Sequence, residues 1–249
     1  MILPISLVII CLLVGLLIGA VGIGGVLLVP SLTFLGGISV HEAIPACMFS
    51  YLATGAVGAI VFARHGSIDW RMALWLFVGV VPAAYLGATS LLSIPAVAVK
   101  LIIACLMILA GIDAIRSSTR AVEKGKEFGH LALIGIGAVT GFGSAITGTG
   151  GPLILVPLTI YLGLPVLTAV GLSQAVQIPI AAFASIGNWT QGNLNVELGL
   201  AIAASMVIGT LVGAKLIHHV PTEPIRKTVA VFMIVVGTGI ALQVAHELV

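Results

Sequence analysis

Two glycine-rich stretches interrupt long apolar segments, and they are the first places where this sequence could bind a solute. A helix that begins inside a membrane leaves its first N–H groups without partners and presents the positive end of its dipole, so it can bind an anion through backbone atoms alone. Close packing between helices is the alternative reason for glycine in a membrane. The sequence predicts an anion site at both stretches, with contacts from Gly24, Gly25, Val26, Thr149, Gly150, Gly151, Pro152 and Leu153.

A polar stripe on a later apolar segment is the second candidate for substrate contacts. Ser173, Gln174 and Gln177 share one face at helical spacing. Tyr51 stands at the position equivalent to Gln177 in an internal repeat described below. Neutral polar side chains in lipid are costly unless they meet a partner or water. The stripe therefore predicts side chains that orient the solute, with hydrogen bonding between helices as the alternative.

The remaining residues that could carry chemistry argue against an enzyme. All 8 acidic residues and 6 histidines map near helix ends or in loops, and the 3 cysteines lie far apart inside apolar segments. The sequence has no metal-like spacing, no serine with a histidine at membrane depth and no nucleotide-binding loop. It therefore predicts no catalytic residue, no metal and no cofactor. An uncharged centre would also not repel an anion.

Composition indicates that the elements carrying these residues lie in a lipid bilayer. Of 249 residues 60% are hydrophobic and 7% are charged, whereas a soluble domain has about 25% charged residues. The apolar segments are long and do not alternate with period two, which favours helices over the strands of a barrel. The first segment has no Lys or Arg before it, so we interpret it as a retained membrane helix rather than a signal peptide. A net charge of +2 is too small to indicate nucleic-acid binding.

The chain contains an internal repeat. Shifting it by 126 residues places Ala43 on Ala169 and Pro95 on Pro221, and it also brings the two glycine-rich stretches into register. A duplicated fold is typical of transporters. We predict a first membrane repeat over 1–116, a cytoplasmic link over 117–128 and a second membrane repeat over 129–249.

The positions of Lys and Arg predict how the repeats cross the membrane. The first apolar block of each half exceeds 30 residues, whereas about 20 residues span a bilayer, so we interpret each as a broken hairpin with the glycines at its tip. Each half then has five helical elements. In this arrangement Lys100 lies on one side of the membrane and the other basic residues, of 10 in all, lie on the opposite side. This bias predicts a cytoplasmic basic side, outer termini and a second half inverted relative to the first. Single crossings with parallel repeats are the alternative, and they divide the basic residues six to four.

The motifs resemble a known family. The pair GIGGVLLVPSL from Gly22 and GTGGPLILVPL from Gly148, followed by Ala169-Val-Gly-Leu-Ser173, resembles the signatures of TauE/SafE sulfite exporter-like permeases. The likeness covers nearly the whole chain apart from the predicted link. The resemblance implies a membrane transporter for small organic or sulfur-containing anions, sulfite and sulfonates among them. The family often has a third consecutive glycine. In this chain that position is occupied by Val26 in the first copy and by Pro152 in the second.

We therefore interpret the sequence as an all-α integral membrane permease that binds a small anion between two broken hairpins and transports it by alternating access. Its expected partners are the anion, the lipid bilayer of the cell membrane and a coupling proton or ion. The alternatives are a passive anion channel and a membrane-embedded enzyme.

Overall fold

The computed structural model describes residues 4–21, 24–116, 129–216 and 222–247, and these residues form helices joined by short loops. The predicted link, 117–128, lies outside the described residues. Two 3-10 helices, Gly24–Leu27 and Leu91–Ser93, accompany the α-helices. The α-helices are α1 Ile5–Val21, α2 Leu28–Phe34, α3 Val40–Arg64, α4 Trp70–Ser90, α5 Ala96–Arg116, α6 His130–Thr147, α7 Pro152–Tyr161, α8 Val166–Thr190, α9 Val196–Leu216 and α10 Thr222–Glu247.

The helix lengths confirm the prediction of a multi-pass, all-α membrane protein. Within the described residues, 7 helices are long and apolar enough to cross a membrane, namely α3, α4, α5, α6, α8, α9 and α10. The shorter apolar helices are α1, α2 with its preceding 3-10 turn, and α7. These three belong to the two glycine-interrupted blocks, because the glycines divide each block into pieces.

Helices from the two halves pack against each other in reciprocal pairs. Adding 126 to the bounds of α3 and α4 gives those of α8 and α9. Helix α1 packs against α9 while its counterpart α6 packs against α4, and α3 and α5 pack against their own counterparts α8 and α10. The core is therefore an interface between the halves, so each half completes the packing of the other.

Contacts between side chains give the directions of the paired helices. Thr54 on α3 meets Gln177 on α8, and Gly58, one turn later, meets Gln174, one turn earlier. Helices α3 and α8 therefore run in opposite directions, as do α5 and α10, whereas α1 and α9 run in the same direction. An inverted repeat requires these directions, and the inversion of whole halves across a membrane stays a prediction.

Loop contacts define two ends of the bundle. His41 Nε2 lies 2.9 Å from the Ile94 carbonyl oxygen, and Asn193 Nδ2 donates to the His41 carbonyl at 2.7 Å, which brings together the starts of α3, α5 and α9. We call this the His41 end. The His130 ring stacks on Trp75 at 4.3 Å, so the starts of α4 and α6 lie together at the opposite end, the His130 end.

Both glycine-interrupted blocks turn back to the end from which they started. A β-carbon placed on Gly36, just after α2, would lie 3.2 Å from Leu7 Cδ1 near the start of α1. In the second half, Gly171 near the start of α8 lies against the backbone of Ser67, which is beside the start of α4. The start of α8 is therefore at the His130 end, where α6 also begins. The predicted broken hairpins therefore have the expected course.

The described basic residues are distributed unevenly between the two ends. Lys100 lies in the second turn of α5, near the His41 end. The remaining Lys and Arg residues with described side chains lie near the His130 end, at the ends of α3, α5 and α9 or near the starts of α4 and α10; they are Arg64, Arg71, Arg116, Lys215 and Lys227. Arg120, Lys124 and Lys126 lie outside the described residues.

Glycine permits the close approach of α4 and α6, which a pair of matched substitutions can test. A β-carbon on Gly137 would collide with the backbone of Leu76, whereas one on Gly135 would meet nothing within 4 Å. We expect Gly137→Ala to lower the free energy of unfolding by about 1–3 kcal/mol, because the helices must separate. Gly135→Ala should raise it by about 0.5–1 kcal/mol, because alanine favours a helix. Thermal unfolding of both variants in detergent measures the difference, and equal effects would contradict the packing role.

Candidate functional site

The first hairpin tip is a buried 3-10 turn. Gly24–Leu27 forms this turn and runs directly into the seven-residue helix α2. Neither Gly24 nor Gly25 has a positive φ, so the described part of this tip has no left-handed break. The preceding Gly22 and Ile23 lie outside the described residues.

The second hairpin tip is a true interruption of the helix. Gly148, Gly150 and Gly151 have φ angles of 69°, 74° and 110°, which side chains other than glycine rarely adopt. Helix α7 then begins with Pro152 at a first-turn position, where a missing N–H does no harm, and Gly151 provides no side-chain cap.

The start of α7 presents backbone donors that have no hydrogen-bond acceptor among the described residues. Its first intrahelical hydrogen bonds run from the N–H groups of Ile154 and Leu155 to the Gly151 carbonyl, at 3.1 and 3.0 Å. The N–H groups of Gly151 and Leu153 precede these bonds and have no intrahelical acceptor. Donors at a helix start next to residues with positive φ favour an anion.

Tyr51 joins the two hairpin tips. Its hydroxyl donates to the Gly25 carbonyl at 2.8 Å and approaches the Gly148 carbonyl at 3.2 Å. A β-carbon on Gly150 would lie 2.8 Å from Tyr51 Cδ2, so the ring also covers the second tip. Tyr51 is fully buried. The two hairpin tips therefore meet in the interior at Tyr51. One helical turn further along α3, Thr54 bonds to the polar stripe of α8.

The stripe of α8 divides into residues that reach other helices and one that does not. Gln177 Nε2 donates to Thr54 Oγ1 at 3.0 Å, and Gln174 Nε2 donates to the Ile18 carbonyl at 3.0 Å. Ser173 donates to the Val170 carbonyl of its own helix at 2.7 Å. Gln174 and Gln177 therefore bridge helices in this conformation, and each keeps an Oε1 atom without a hydrogen-bond partner.

Other predicted contact residues lie around the second tip. Thr149 and Leu153 are buried, and the Thr149 hydroxyl lies 3.2 Å from that of Thr147. A β-carbon on Gly25 would lie 3.0 Å from the Thr149 carbonyl oxygen. The structure thus brings Gly25, Tyr51, Thr149 and Gly150 together.

Polar residues of α6 were not among the sequence candidates. The side chains of Thr140 and Ser144 are both 0% exposed, and neither hydroxyl has a hydrogen-bond partner in the described part of the chain. Their spacing of four residues, ending just before the glycine stretch, is the signal that could have identified them. Single hydroxyls in an apolar helix usually bond to their own backbone, and this obscures the signal.

The buried polar side chains of the described region are uncharged. They belong to Ser, Thr, Gln and Asn, with Tyr51 among the buried aromatics. Searching the same residues finds no group of 3 or more His, Cys, Asp or Glu that could hold a metal ion. An anion bound here would meet dipoles and hydrogen-bond donors instead of a fixed positive charge.

Comparisons with known proteins agree with this architecture. A family described as "Sulfite exporter TauE/SafE" matches residues 7–240. The chain is similar to the probable membrane transporter protein YdhB of Bacillus subtilis, with 26% identity over 238 residues that cover 92% of this chain and 96% of YdhB. It is also similar to the probable membrane transporter protein YunE of the same organism, with 23% identity and coverage of 90% and 93%. No solved structure matches the chain.

Proposed function

The chain belongs to the TauE/SafE sulfite exporter family of membrane transporters, and we propose that it carries a small oxyanion, sulfite or a sulfonate, across the cell membrane by alternating access. The observation that carries this proposal is the meeting of the two hairpin tips at Tyr51, beside the unpaired N–H groups at the start of α7. An anion lying there could accept hydrogen bonds from Gly150, Gly151 and Leu153. Such a site selects for negative charge without an Arg or Lys.

The reciprocal packing of the halves supports alternating access. Each half contributes one hairpin to the centre, and counterpart helices α3 and α8 run in opposite directions. Rocking one half against the other would expose a central site to each side of the membrane in turn. Tyr51, which hydrogen-bonds to both tips, lies where such a movement must separate or rotate them. The stripe residues Gln174 and Gln177 would orient the anion as the helices move.

The distribution of basic residues supports an orientation with the His130 end in the cytoplasm and both termini outside. After the three native cysteines are replaced, we expect cysteine at Gln191, near the His41 end, to react with an impermeant maleimide added to intact cells. Cysteines at Lys124 and His219 should react only after the cells are permeabilised. Labelling of position 219 in intact cells would contradict the inverted arrangement.

Counterflow in proteoliposomes tests the proposed activity. Vesicles loaded with unlabelled sulfite should transiently accumulate labelled external sulfite above equilibrium, because a carrier exchanges one bound anion for another. A passive channel gives no such accumulation when valinomycin and equal K⁺ on both sides hold the membrane potential at zero. Sulfate and sulfoacetate as competitors define the substrate class, and an imposed pH gradient shows whether a proton is coupled. Absence of sulfite uptake above protein-free vesicles would overturn the assignment of sulfite as substrate.

A further inference from the structure

The polar residues around the second hairpin tip have apolar counterparts in the first half. By the shift of 126 residues, Thr140 and Ser144 of α6 correspond to Val14 and Ile18 of α1. Thr149 likewise corresponds to Ile23. The two halves share their helices and their packing, so this difference is not required by the fold. Of these three aligned pairs, only the residues of the second half carry a Thr or Ser hydroxyl.

The hydroxyl-bearing face of α6 lies beside the start of α7. A β-carbon placed on Gly151 would lie 4.0 Å from Thr140 Cγ2. The Ser144 carbonyl accepts hydrogen bonds from the N–H groups of Gly148 and Thr149, at 2.9 and 3.4 Å. Thr140 and Ser144 are four residues apart and therefore lie on one face of α6. Both thus border the segment whose backbone donors are unpaired.

These two hydroxyls differ from their neighbours in having no partner. Thr147 donates to the Gly143 carbonyl of its own helix at 2.6 Å, and Thr159 on α7 donates to the Leu155 carbonyl at 2.7 Å. Thr140 and Ser144 are equally buried, yet neither forms such a bond. A buried hydroxyl without a partner destabilises the protein. Two of them beside a helix start are explained if a bound ligand supplies the missing acceptors.

We propose that Thr140 and Ser144 donate hydrogen bonds to an oxyanion held at the start of α7, so that of the two hairpins only the second donates hydrogen bonds to the anion. This inference rests on the proposed transport function and adds two binding residues to it. Sulfite and sulfonates carry several acceptor oxygens on one sulfur atom, so backbone N–H groups and side-chain hydroxyls can bind different oxygens of one anion. The first hairpin then provides only an apolar packing surface, because Val14 and Ile18 have no side-chain hydrogen-bond donor.

The test compares Thr140→Val and Ser144→Ala with Thr159→Val, which removes an equally buried hydroxyl whose hydrogen bonds lie within α7. Sulfite-dependent thermal stabilisation of the purified full chain gives the Kd of each variant. We expect the Kd for sulfite to rise about tenfold for each of the two α6 variants and to stay within about twofold for Thr159→Val. Without sulfite, Thr140→Val should melt at the wild-type temperature or above it, because an unpaired buried hydroxyl is gone. A hydroxyl that only holds helices together would instead lower that temperature.

The outcomes separate this inference from the transport function. If sulfite stabilises the wild type and all three variants with the same Kd, Thr140 and Ser144 do not bind the anion, although the protein still binds sulfite. If Thr140→Val lowers the melting temperature without sulfite and leaves the Kd unchanged, the hydroxyl is structural and the inference is wrong. If sulfite neither stabilises the wild type nor is transported by it, both proposals fall together.

Discussion

Replacing Gly150 by alanine is expected to reduce transport at least about tenfold, because the new β-carbon would meet the ring that covers the second hairpin tip. Gly150 has a φ of 74°, and its β-carbon would lie 2.8 Å from Tyr51 Cδ2. The substitution therefore displaces either Tyr51 or the backbone whose N–H groups are proposed to hold the anion. A misplacement costing more than about 1.4 kcal/mol corresponds to a factor of ten in binding.

Gly192→Ala is the matched control for backbone strain. Gly192 has a φ of 68°, but a β-carbon there would meet nothing within 4 Å. Alanine at a positive φ costs about 1–2 kcal/mol at either position, so both variants should lose some thermal stability in detergent. Only Gly150→Ala should lose sulfite counterflow per folded molecule. Pro152→Ala should be milder, because proline has no N–H to contribute. Equal loss of transport in the Gly150 and Gly192 variants would show that strain alone is responsible.

Sequence reasoning succeeded where one physical requirement dominated. A bilayer needs apolar helices of a given length, so composition and segment length predicted the all-α membrane fold, which the structure confirms. The glycine stretches predicted interruptions inside two overlong blocks, because each block is too long for a single crossing and glycine weakens a helix. Gly148, Gly150 and Gly151 do adopt positive φ. The 3-10 turn at Gly24–Leu27 was not predicted, because a glycine pair permits a left-handed break without requiring one.

The side-chain partners could not be read from one sequence. Helical spacing places Ser173, Gln174 and Gln177 on one face, but the neighbouring helix decides which groups they meet. Ser173 bonds to its own backbone, whereas Gln177 reaches Thr54. Thr140 was missed because its significance is the absence of a hydrogen-bond partner, and only the packed structure shows that absence. Tyr51 became a candidate site residue through the repeat, but its bonds to both hairpin tips depend on how the halves pack.

Tyr51→Phe is expected to lower the free energy of unfolding by about 1–3 kcal/mol, because it removes the donor shared by two buried carbonyls. The hydroxyl lies 2.8 Å from the Gly25 oxygen and 3.2 Å from the Gly148 oxygen, and phenylalanine keeps the ring that covers Gly150. Since the hydroxyl is directed at the backbone, the Kd for sulfite should change by less than about threefold. The maximal transport rate should change by a larger factor than the Kd. In the proposed alternating-access mechanism, the movement of one tip against the other would break and re-form this bond.

Three measurements test Tyr51→Phe. Thermal unfolding in detergent gives the stability, sulfite-dependent stabilisation gives the Kd, and initial rates of counterflow give the maximal transport rate. Tyr85→Phe, a tyrosine substitution at a half-buried position on α4, is the control for loss of a phenol away from the tips, and it should resemble the wild type in all three. A tenfold or greater rise in the sulfite Kd for Tyr51→Phe, with stability unchanged, would show that the Tyr51 hydroxyl contacts the anion directly. The two tips would then be joined through the substrate, and the hydrogen bonds to Gly25 and Gly148 would belong to the empty state, because one hydroxyl proton cannot serve the anion and these carbonyls together.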